Sequence, residues 1–141
     1  MIQRVFLDTN VIIDLIINRE PFVREAEEIF TLSDSYNYEV IVSALTIANL
    51  AYAIDRLNKK PHESIARLFP LVKIIDLSSS IIEETIVSIF KDFEDGLQHS
   101  SALAAKADII VTRNEKDFKH SLIPVMSPQD FLDLFKPESN N

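Results

Sequence analysis

Short apolar runs alternate with longer segments of helical periodicity along the whole chain. The first run, Val5, Phe6 and Leu7, is followed directly by an acid, Asp8. Short apolar runs rich in β-branched residues are typical of strands buried on both faces of a sheet. Strands are therefore predicted at residues 4–8, 39–42, 72–75 and 109–112, with a fifth at 124–126.

Between these runs, apolar residues recur every three or four positions, as they do on one face of a helix. Pro21, Pro61 and Pro128 stand near the starts of three such segments, where proline is favoured. Helices are predicted at residues 11–17, 22–30, 43–57, 62–69, 79–89, 93–107 and 128–134. Thr9 or Asn10 is expected to cap the first of them, and Ser79 or Ser80 the fifth.

Strands that alternate with helices favour a parallel sheet covered by helices on both faces. The predicted fold is α/β, a three-layer α/β/α arrangement with a central parallel sheet of four to five strands. The chain has 141 residues, which is the size of one ordinary domain. Residues 1–136 are therefore predicted to form a single domain, and residues 137–141 a disordered tail.

Composition limits the compartment and the kinds of site. The sequence has no apolar run of about 18 residues, so no membrane span is expected. Asp8 interrupts the N-terminal apolar run, which is unlike a signal peptide. Cysteine is absent, which excludes disulfides and thiolate zinc sites and agrees with a reducing compartment. We expect a cytoplasmic protein.

Charge and glycine content exclude further classes. The formal net charge is −8, which argues against tight, non-specific binding of long nucleic acids, although carboxylates loaded with cations can reverse the local sign. Gly96 is the single glycine. Dinucleotide-binding and phosphate-binding loops need several glycines, so both are excluded.

Polar residues beyond the predicted strands are the candidates for chemistry, because ligands of open parallel sheets lie at the carboxyl ends. Asp8 ends the first strand, Asp117 follows the fourth, and Asp95 lies near the start of the helix between them. Converging carboxylates repel one another, and a hard divalent cation is the usual compensation. We therefore expect Mg²⁺ or Mn²⁺ to activate water for phosphodiester hydrolysis, with these candidate residues: Asp8, Asn10, Asp92, Glu94, Asp95, Thr112, Asn114 and Asp117.

Each candidate also has a structural interpretation. Asp8 suits a helix N-cap, and Asp95 suits a first helical turn. Asn114 and Asp117 suit turns or caps. The other polar residues nearby have similar alternatives: Arg113 and Lys116 are either solvated or substrate-binding, His99 is either a surface residue or a site member, and Ser43 and Thr46 are expected to be caps.

The N-terminal FLDTNVIIDLI resembles the opening motif of PIN domains. The segment DFEDGLQHSSALAAKADIIVTRNEKDF resembles their third and fourth motifs in residues and in spacing, and IPVMSPQDFL resembles their last strand and helix. The resemblance covers about residue 2 to residue 135. It implies a metal-dependent ribonuclease similar to VapC-like toxins, which are often dimeric and are inhibited by a cognate antitoxin.

The resemblance assigns roles by position. Asp8 matches the first metal-site acid and Asp95 the third, while Asn114 and Asp117 fall in the fourth motif. Two residues match supporting positions: Asn10 beside the first acid, and Thr112 in the fourth motif.

One position departs from the pattern. The second motif usually carries a glutamate, whereas VSALTIANLAY has Asn49 there. Asn49 brings no charge, so weaker metal affinity and a weaker or more conditional nuclease are expected. Glu94 or Asp92 is the candidate substitute for the missing acid.

Other functions stay open at this stage. A binding module that recognises RNA or a protein without cutting is the main alternative, because of Asn49. HAD-like phosphotransferases and receiver domains also place aspartates at strand ends, but their motifs fit this chain poorly. Apolar residues on the second and third helices further predict a homodimer: Phe22, Ile29, Phe30, Leu50 and Tyr52.

Overall fold

Five parallel strands form one sheet in the computed structural model, which describes residues 1–136. The strands are β1 (Arg4–Leu7), β2 (Glu39–Ser43), β3 (Lys73–Ile75), β4 (Ile109–Val111) and β5 (Val125–Met126). Their order is β3-β2-β1-β4-β5, so the N-terminal strand lies at the centre. The predicted parallel sheet is confirmed. The predicted tail, residues 137–141, lies outside the described residues.

Helices connect the strands and cover both faces of the sheet. They are α1 (Thr9–Ile16), α2 (Val23–Tyr36), α3 (Ala44–Asp55), α4 (Pro61–Leu68), α5 (Ser79–Ile86), α6 (Phe93–Ala104) and α7 (Pro128–Asp133). Two short 3-10 turns, Phe69–Leu71 and Glu115–Phe118, lie before β3 and after β4.

The helices α5 and α6 each end three residues earlier than predicted, for local reasons. After α5, the backbone N–H and the hydroxyl of Ser88 both donate to the carbonyl of Thr85, and the helix ends at Ile86. After α6, Lys106 adopts a left-handed backbone with φ of 56°. Ala107 N–H then donates to the carbonyl of Ala102, a pattern that closes helices.

The caps differ from the prediction at two helices. Asp8, not Thr9 or Asn10, is the N-cap of α1, and its side chain accepts from Thr9 N–H. Ser78 caps α5 in place of Ser79 or Ser80. Ser43 caps α3, as predicted.

Alternating strand residues build two cores, one on each face of the sheet. Val5 and Leu7 join the larger core, which also holds residues of α1, α2, α3, α4 and α7. Phe6 joins the smaller core, where Ala102 of α6 and Phe118 pack against it. The three-layer α/β/α fold is therefore confirmed. None of the helices within residues 1–136 has both the length and the apolar character to cross a membrane.

Candidate active site

Asp8 lies just beyond the central strand and is held by four donors. Its backbone N–H donates to Val111 O at 3.0 Å, which continues the sheet. Oδ1 accepts from Thr9 N–H at 2.8 Å and from Gln98 Nε2 at 3.0 Å. Oδ2 accepts from Thr112 Oγ1 at 2.8 Å and, at 3.4 Å, from an amide described next. Asp8 is 8% exposed as a residue, and these hydrogen bonds fix the direction of its carboxylate.

Asn10 and Thr112 support Asp8 from two elements. The amide of Asn10 donates to Asp8 Oδ2 at 3.4 Å and to Thr112 Oγ1 at 3.2 Å. Asn10 Oδ1 accepts from Arg113 N–H at 3.3 Å, which ties α1 to the segment after β4. Asn114 contributes its backbone N–H to Thr112 Oγ1 at 3.1 Å. Its exposed side chain, predicted to be catalytic, does not line the cleft described next.

An open cleft of about 370 Å³ lies in front of Asp8, and we call it the acidic cleft. Asp95 enters it from the first turn of α6, and Asp117 from the 3-10 turn after β4. Three acids that are far apart in sequence, Asp8, Asp95 and Asp117, therefore line one cavity. Asp92 and Glu94 line it too, although Asp92 also caps α6 by accepting from Asp95 N–H at 3.0 Å.

The pKa of Asp95 is strongly affected by its surroundings. Burial, followed by the charges of the neighbouring acids, raises the pKa of Asp95 from 3.8 to about 7. Those acids, in decreasing order of effect, are Asp92, Asp117, Asp8 and Glu94. A carboxyl with such a pKa favours either a proton or a nearby cation.

The donor set suits a hard cation that keeps part of its water shell. Among residues 1–136, no three Asp, Glu or His side chains are grouped closely enough to form a ready ligand cage. Mg²⁺ needs no such cage, because it commonly binds through one or two carboxylates and retains several waters. The carboxylates of the acidic cleft and the raised pKa of Asp95 fit that kind of binding.

Asn49 and Glu94 form a direct pair. The amide of Asn49, on α3, donates to Glu94 Oε1, on α6, at 2.6 Å. The carboxylate that contacts the position of the expected glutamate is thus supplied by another helix. Asn49 itself does not line the acidic cleft.

Gln98 is a central site residue that our sequence analysis missed. It lies one turn after Asp95 on α6, and it is 2% exposed. Its Nε2 donates to Asp8, to Thr9 Oγ1 at 3.2 Å and to Thr46 Oγ1 at 2.9 Å, while its Oε1 accepts from Ser43 Oγ. Its position three residues after Asp95, which puts both side chains on the same face of α6, was the available signal.

Asp14 was missed as well, and it determines where Arg113 lies. Asp14 is 1% exposed, and it accepts from Arg113 Nε at 2.6 Å and from Arg113 Nη2 at 3.1 Å. The same guanidinium lies over the ring of Phe22, 3.9 Å from its centroid. Arg113, predicted to be solvated or to bind substrate, is therefore held against α1 in this structure. Lys116 is exposed, beside Asp117 in a neighbouring cleft.

His99 is buried away from the acidic cleft, so the prediction of a surface residue is wrong. Its ring stacks on Phe90 with the centroids 4.7 Å apart, and its Nε2 accepts from Leu122 N–H at 3.1 Å. Burial lowers the pKa of His99, which keeps the ring neutral as this bond requires. Ser43 is the expected cap, while Thr46 also bonds Thr9 Oγ1 at 2.8 Å.

A model of the family described as "PIN domain" matches residues 4–116. A comparison with curated proteins gives no match. Solved structures with a similar fold include a toxin–antitoxin complex from Klebsiella pneumoniae, with 23% identity, a TM-score of 0.67, and coverage of 88% of this chain and 97% of that one.

Two further structures resemble the chain. VapBC2 from Rickettsia felis, bound to a DNA fragment from its promoter, is 21% identical, with a TM-score of 0.64 and coverage of 89% and 98%. VapC20 of Mycobacterium tuberculosis, described as a sarcin–ricin loop cleaving toxin, is 15% identical, with a TM-score of 0.60 and coverage of 75% and 86%. At these identities the likeness establishes the fold.

Proposed function

Because this chain belongs to the PIN-domain family, we propose that it is a divalent-metal-dependent endoribonuclease and the toxin of a toxin–antitoxin pair. The observation that carries the proposal is the meeting of Asp8, Asp95 and Asp117 around the acidic cleft. The similar VapC20 of Mycobacterium tuberculosis, a sarcin–ricin loop cleaving toxin, agrees with it.

Asp8, Asp95 and Asp117 are the residues that would hold Mg²⁺ or Mn²⁺. When bound, the ion would supply Lewis acidity that lowers the pKa of water and stabilises negative charge on a phosphodiester. Hydrolysis then joins the water oxygen to phosphorus and breaks one P–O bond, and the departing ribose oxygen takes up a proton.

The chain's own contribution is orientation. Asp8 has about four lone-pair sites, and three of its contacts are short, from Thr9, Gln98 and Thr112. The contact from Asn10, at 3.4 Å, is the weakest, so it is the one that a new ligand of Asp8 can replace at least cost. Positioning of this kind is where binding energy is most useful for hydrolysis.

The test uses purified protein and end-labelled RNA. We expect cleavage with Mg²⁺ or Mn²⁺, no cleavage with EDTA, and no cleavage by Asp8→Ala. The exposed Asp34→Asn, which removes one charge outside the acidic cleft, is the matched control and should keep full activity. Intact RNA in every condition, together with no Mn²⁺ binding in calorimetry, would refute the enzyme proposal.

A binding module without catalysis is the second candidate, favoured by the uncharged Asn49. Expression in a host without an antitoxin separates the two. Growth arrest that Asp95→Ala relieves supports the nuclease. Harmless expression of a protein that binds RNA and leaves it intact supports the binding module.

We also propose a cytoplasmic location and an antitoxin partner, since the toxin–antitoxin complexes named above share this fold. A net charge of −8 suits a basic partner segment. Co-expression with the product of the neighbouring gene should yield a stable complex that lacks ribonuclease activity. An active toxin in that co-expression would contradict the partnership.

We propose homodimer formation from a partly different set of apolar residues than the one that first suggested it. Ile29 and Leu50, two of the residues that first suggested it, are fully buried in the core. Other large apolar side chains are exposed, including Tyr52, Phe69 and Val87 at 66%, 65% and 82%. Exposed apolar surface of this kind favours association, and a monomeric mass in light scattering at high concentration would contradict it.

A further inference from the structure

Positive side chains line two clefts that share three of the acids, Asp92, Asp95 and Asp117. The acidic cleft contains one cation among its described lining residues, Arg19. A second cleft, of about 200 Å³, shares Asp92, Asp95 and Asp117 with the first. We call it the lysine cleft, because Lys91, Lys116 and Lys119 line it, together with His120.

Arg19 projects from a fixed backbone. It lies in the turn between α1 and α2, where its N–H donates to Asp14 O at 3.0 Å. Its carbonyl accepts from Phe22 N–H at 3.0 Å and from Val23 N–H at 2.9 Å. The side chain therefore starts from a defined point at the margin of the cleft, which reduces the entropy lost when it binds a ligand.

The N–H donors of the Arg19 guanidinium are not used in hydrogen bonds within the described residues. Its Nη1 forms a long ion pair with Asp14 Oδ1, at 3.7 Å, which is too long for a hydrogen bond. Arg113 already occupies Asp14 through two shorter contacts, at 2.6 and 3.1 Å. Among residues 1–136, Arg19 makes no side-chain hydrogen bond, and its side chain is 46% exposed.

The lysines of the second cleft are similarly available. Lys91, Lys116 and Lys119 are exposed, and none of them forms an ion pair within the described part of the chain. The three ammonium groups lie in the same cleft as Asp92, Asp95 and Asp117, in a chain of net charge −8. Lysine binds phosphate as a point charge, and arginine binds it through two parallel donors.

We propose that a single RNA strand crosses the acid cluster, with Arg19 binding a backbone phosphate on one side and the three lysines binding phosphates on the other. We call this path of the RNA strand the track. It adds an RNA-binding mode to the proposed nuclease function and rests on that function. It explains how a polyanion approaches a cluster of carboxylates: cations on both sides hold the flanking phosphates while one phosphodiester lies over the acids.

The test measures the binding of a short, fluorescein-labelled single-stranded RNA by anisotropy at several salt concentrations, with Ca²⁺ in place of Mg²⁺. Arg19→Gln is compared with Arg24→Gln, an exposed arginine outside both clefts. The triple variant Lys91→Gln/Lys116→Gln/Lys119→Gln is compared with Lys59→Gln/Lys60→Gln/Lys106→Gln. Each pair removes the same charge, so general electrostatics cancel.

Each lost phosphate contact should lower the salt slope of log K by about 0.7 for a single strand. We therefore expect a decrease of about 0.7 for Arg19→Gln and of about 2 for the lysine triple, and unchanged slopes for both controls. In cleavage assays the same variants should raise KM without any loss of Mn²⁺ affinity, because removing positive charge near the acids does not weaken cation binding. Circular dichroism verifies that each variant is folded.

The outcomes separate the two proposals. If the wild type binds and cleaves RNA but each variant behaves like its control, the track is wrong and the nuclease stands. If the wild type neither binds nor cleaves RNA, the nuclease proposal fails and the track fails with it. Equal losses in variants and controls would show non-specific electrostatics and would also overturn the track.

Discussion

Asp95 combines two effects that are usually found apart, helix capping and like-charge crowding. Its backbone N–H is capped by Asp92, while its carboxyl shares a cleft with other acids. Burial, followed by the charges of the neighbouring acids, raises the pKa of Asp95 to about 7, so the charged form of Asp95 is costly in the absence of a cation. A residue with this cost is a candidate for function, because structural needs alone do not require it.

The metal-free protein should lose stability relative to Asp95→Asn as the pH rises from 4 to 7. In this window the folded Asp95 binds a proton that the unfolded chain, with a pKa near 3.8, has released. The native state therefore holds more protons, and the free energy of unfolding falls with increasing pH. Asp95→Asn removes this dependence and should be the more stable protein at pH 8.

Urea denaturation in EDTA at pH 4, 6 and 8 measures the difference. The comparison is with Asp34→Asn, which removes an exposed acid outside the cleft. Wild type and Asp95→Asn curves that stay parallel over the whole range would show that the acids do not interact as described.

Asn49→Glu should raise Mn²⁺ affinity and lower metal-free stability. The amide of Asn49 now donates to Glu94 at 2.6 Å, and a second carboxylate there would replace that hydrogen bond with repulsion. A cation would relieve the repulsion, so calorimetry should show tighter Mn²⁺ binding. Asn49→Gln, which keeps an amide, is the control. No gain in affinity would count against a role for this position.

The sequence predicted that Asp8, Asp95 and Asp117 would meet, and they line one cleft, but it did not single out Gln98 or Asp14. Asp8, Asp95 and Asp117 follow strand ends or begin a helix, and topology alone brings such positions together. Gln98 and Asp14 lie inside helices, where a polar residue is ordinarily solvated. Their burial depends on which face of α1 and α6 meets the sheet, and that is a property of packing rather than of spacing.

At the level of elements, the single glycine controls how α5 meets α6. A Cβ on Gly96 would lie 2.8 Å from the Thr85 methyl and 3.3 Å from Phe90 Cβ. Gly96 directly follows Asp95, so the same contact sets how α6 presents its first turn to the acidic cleft. Glycine here serves close packing, not an unusual backbone angle, since its φ is not positive.

Gly96→Ala should destabilise the protein by about 1–2 kcal/mol, because overpacking outweighs the roughly 0.5–1 kcal/mol that alanine gains in a helix. Thr85→Ser removes the methyl and keeps the hydroxyl, which donates to Ile81 O at 2.8 Å. The double variant should therefore recover part of the loss. Urea denaturation measures the stability of the wild type, the two single variants and the double variant. A Gly96→Ala protein as stable as the wild type would contradict this packing argument.

The elements themselves were predictable, but their ends were less so. All five strands occur close to their predicted positions because they are short apolar runs. The three inner strands, β1, β2 and β4, are largely buried. The helix over residues 79–89 was predicted three residues too long, since Ile82, Ile86 and Ile89 keep helical spacing. Ser88 ends it by binding Thr85 O, a local competition that apolar periodicity does not reveal.

For the whole molecule, the fold brings together acidic side chains that repel one another. The parallel sheet brings acids to one edge, in a chain that already carries a net charge of −8. Folding therefore concentrates negative charge, and binding a cation that has no comparable site in the unfolded chain should stabilise the native state. The same concentration makes any RNA binding depend on cations, whether from the solution or from the lysine cleft.

Saturating Mn²⁺ should raise the melting temperature of the wild type, and EDTA should reverse the shift. At about 100 times the Kd, linkage adds about 2.7 kcal/mol, which corresponds to on the order of 10 °C for a domain of this size. Asp95→Asn and Asp117→Asn should each lose most of the shift, whereas Asp34→Asn should keep it, since that acid lies outside the acidic cleft. A shift of equal size in all four proteins would mean that the ion binds elsewhere. No shift in the wild type would mean that the carboxylates meet without holding a metal. A proton alone would then neutralise the carboxylate of Asp95, whose pKa is raised.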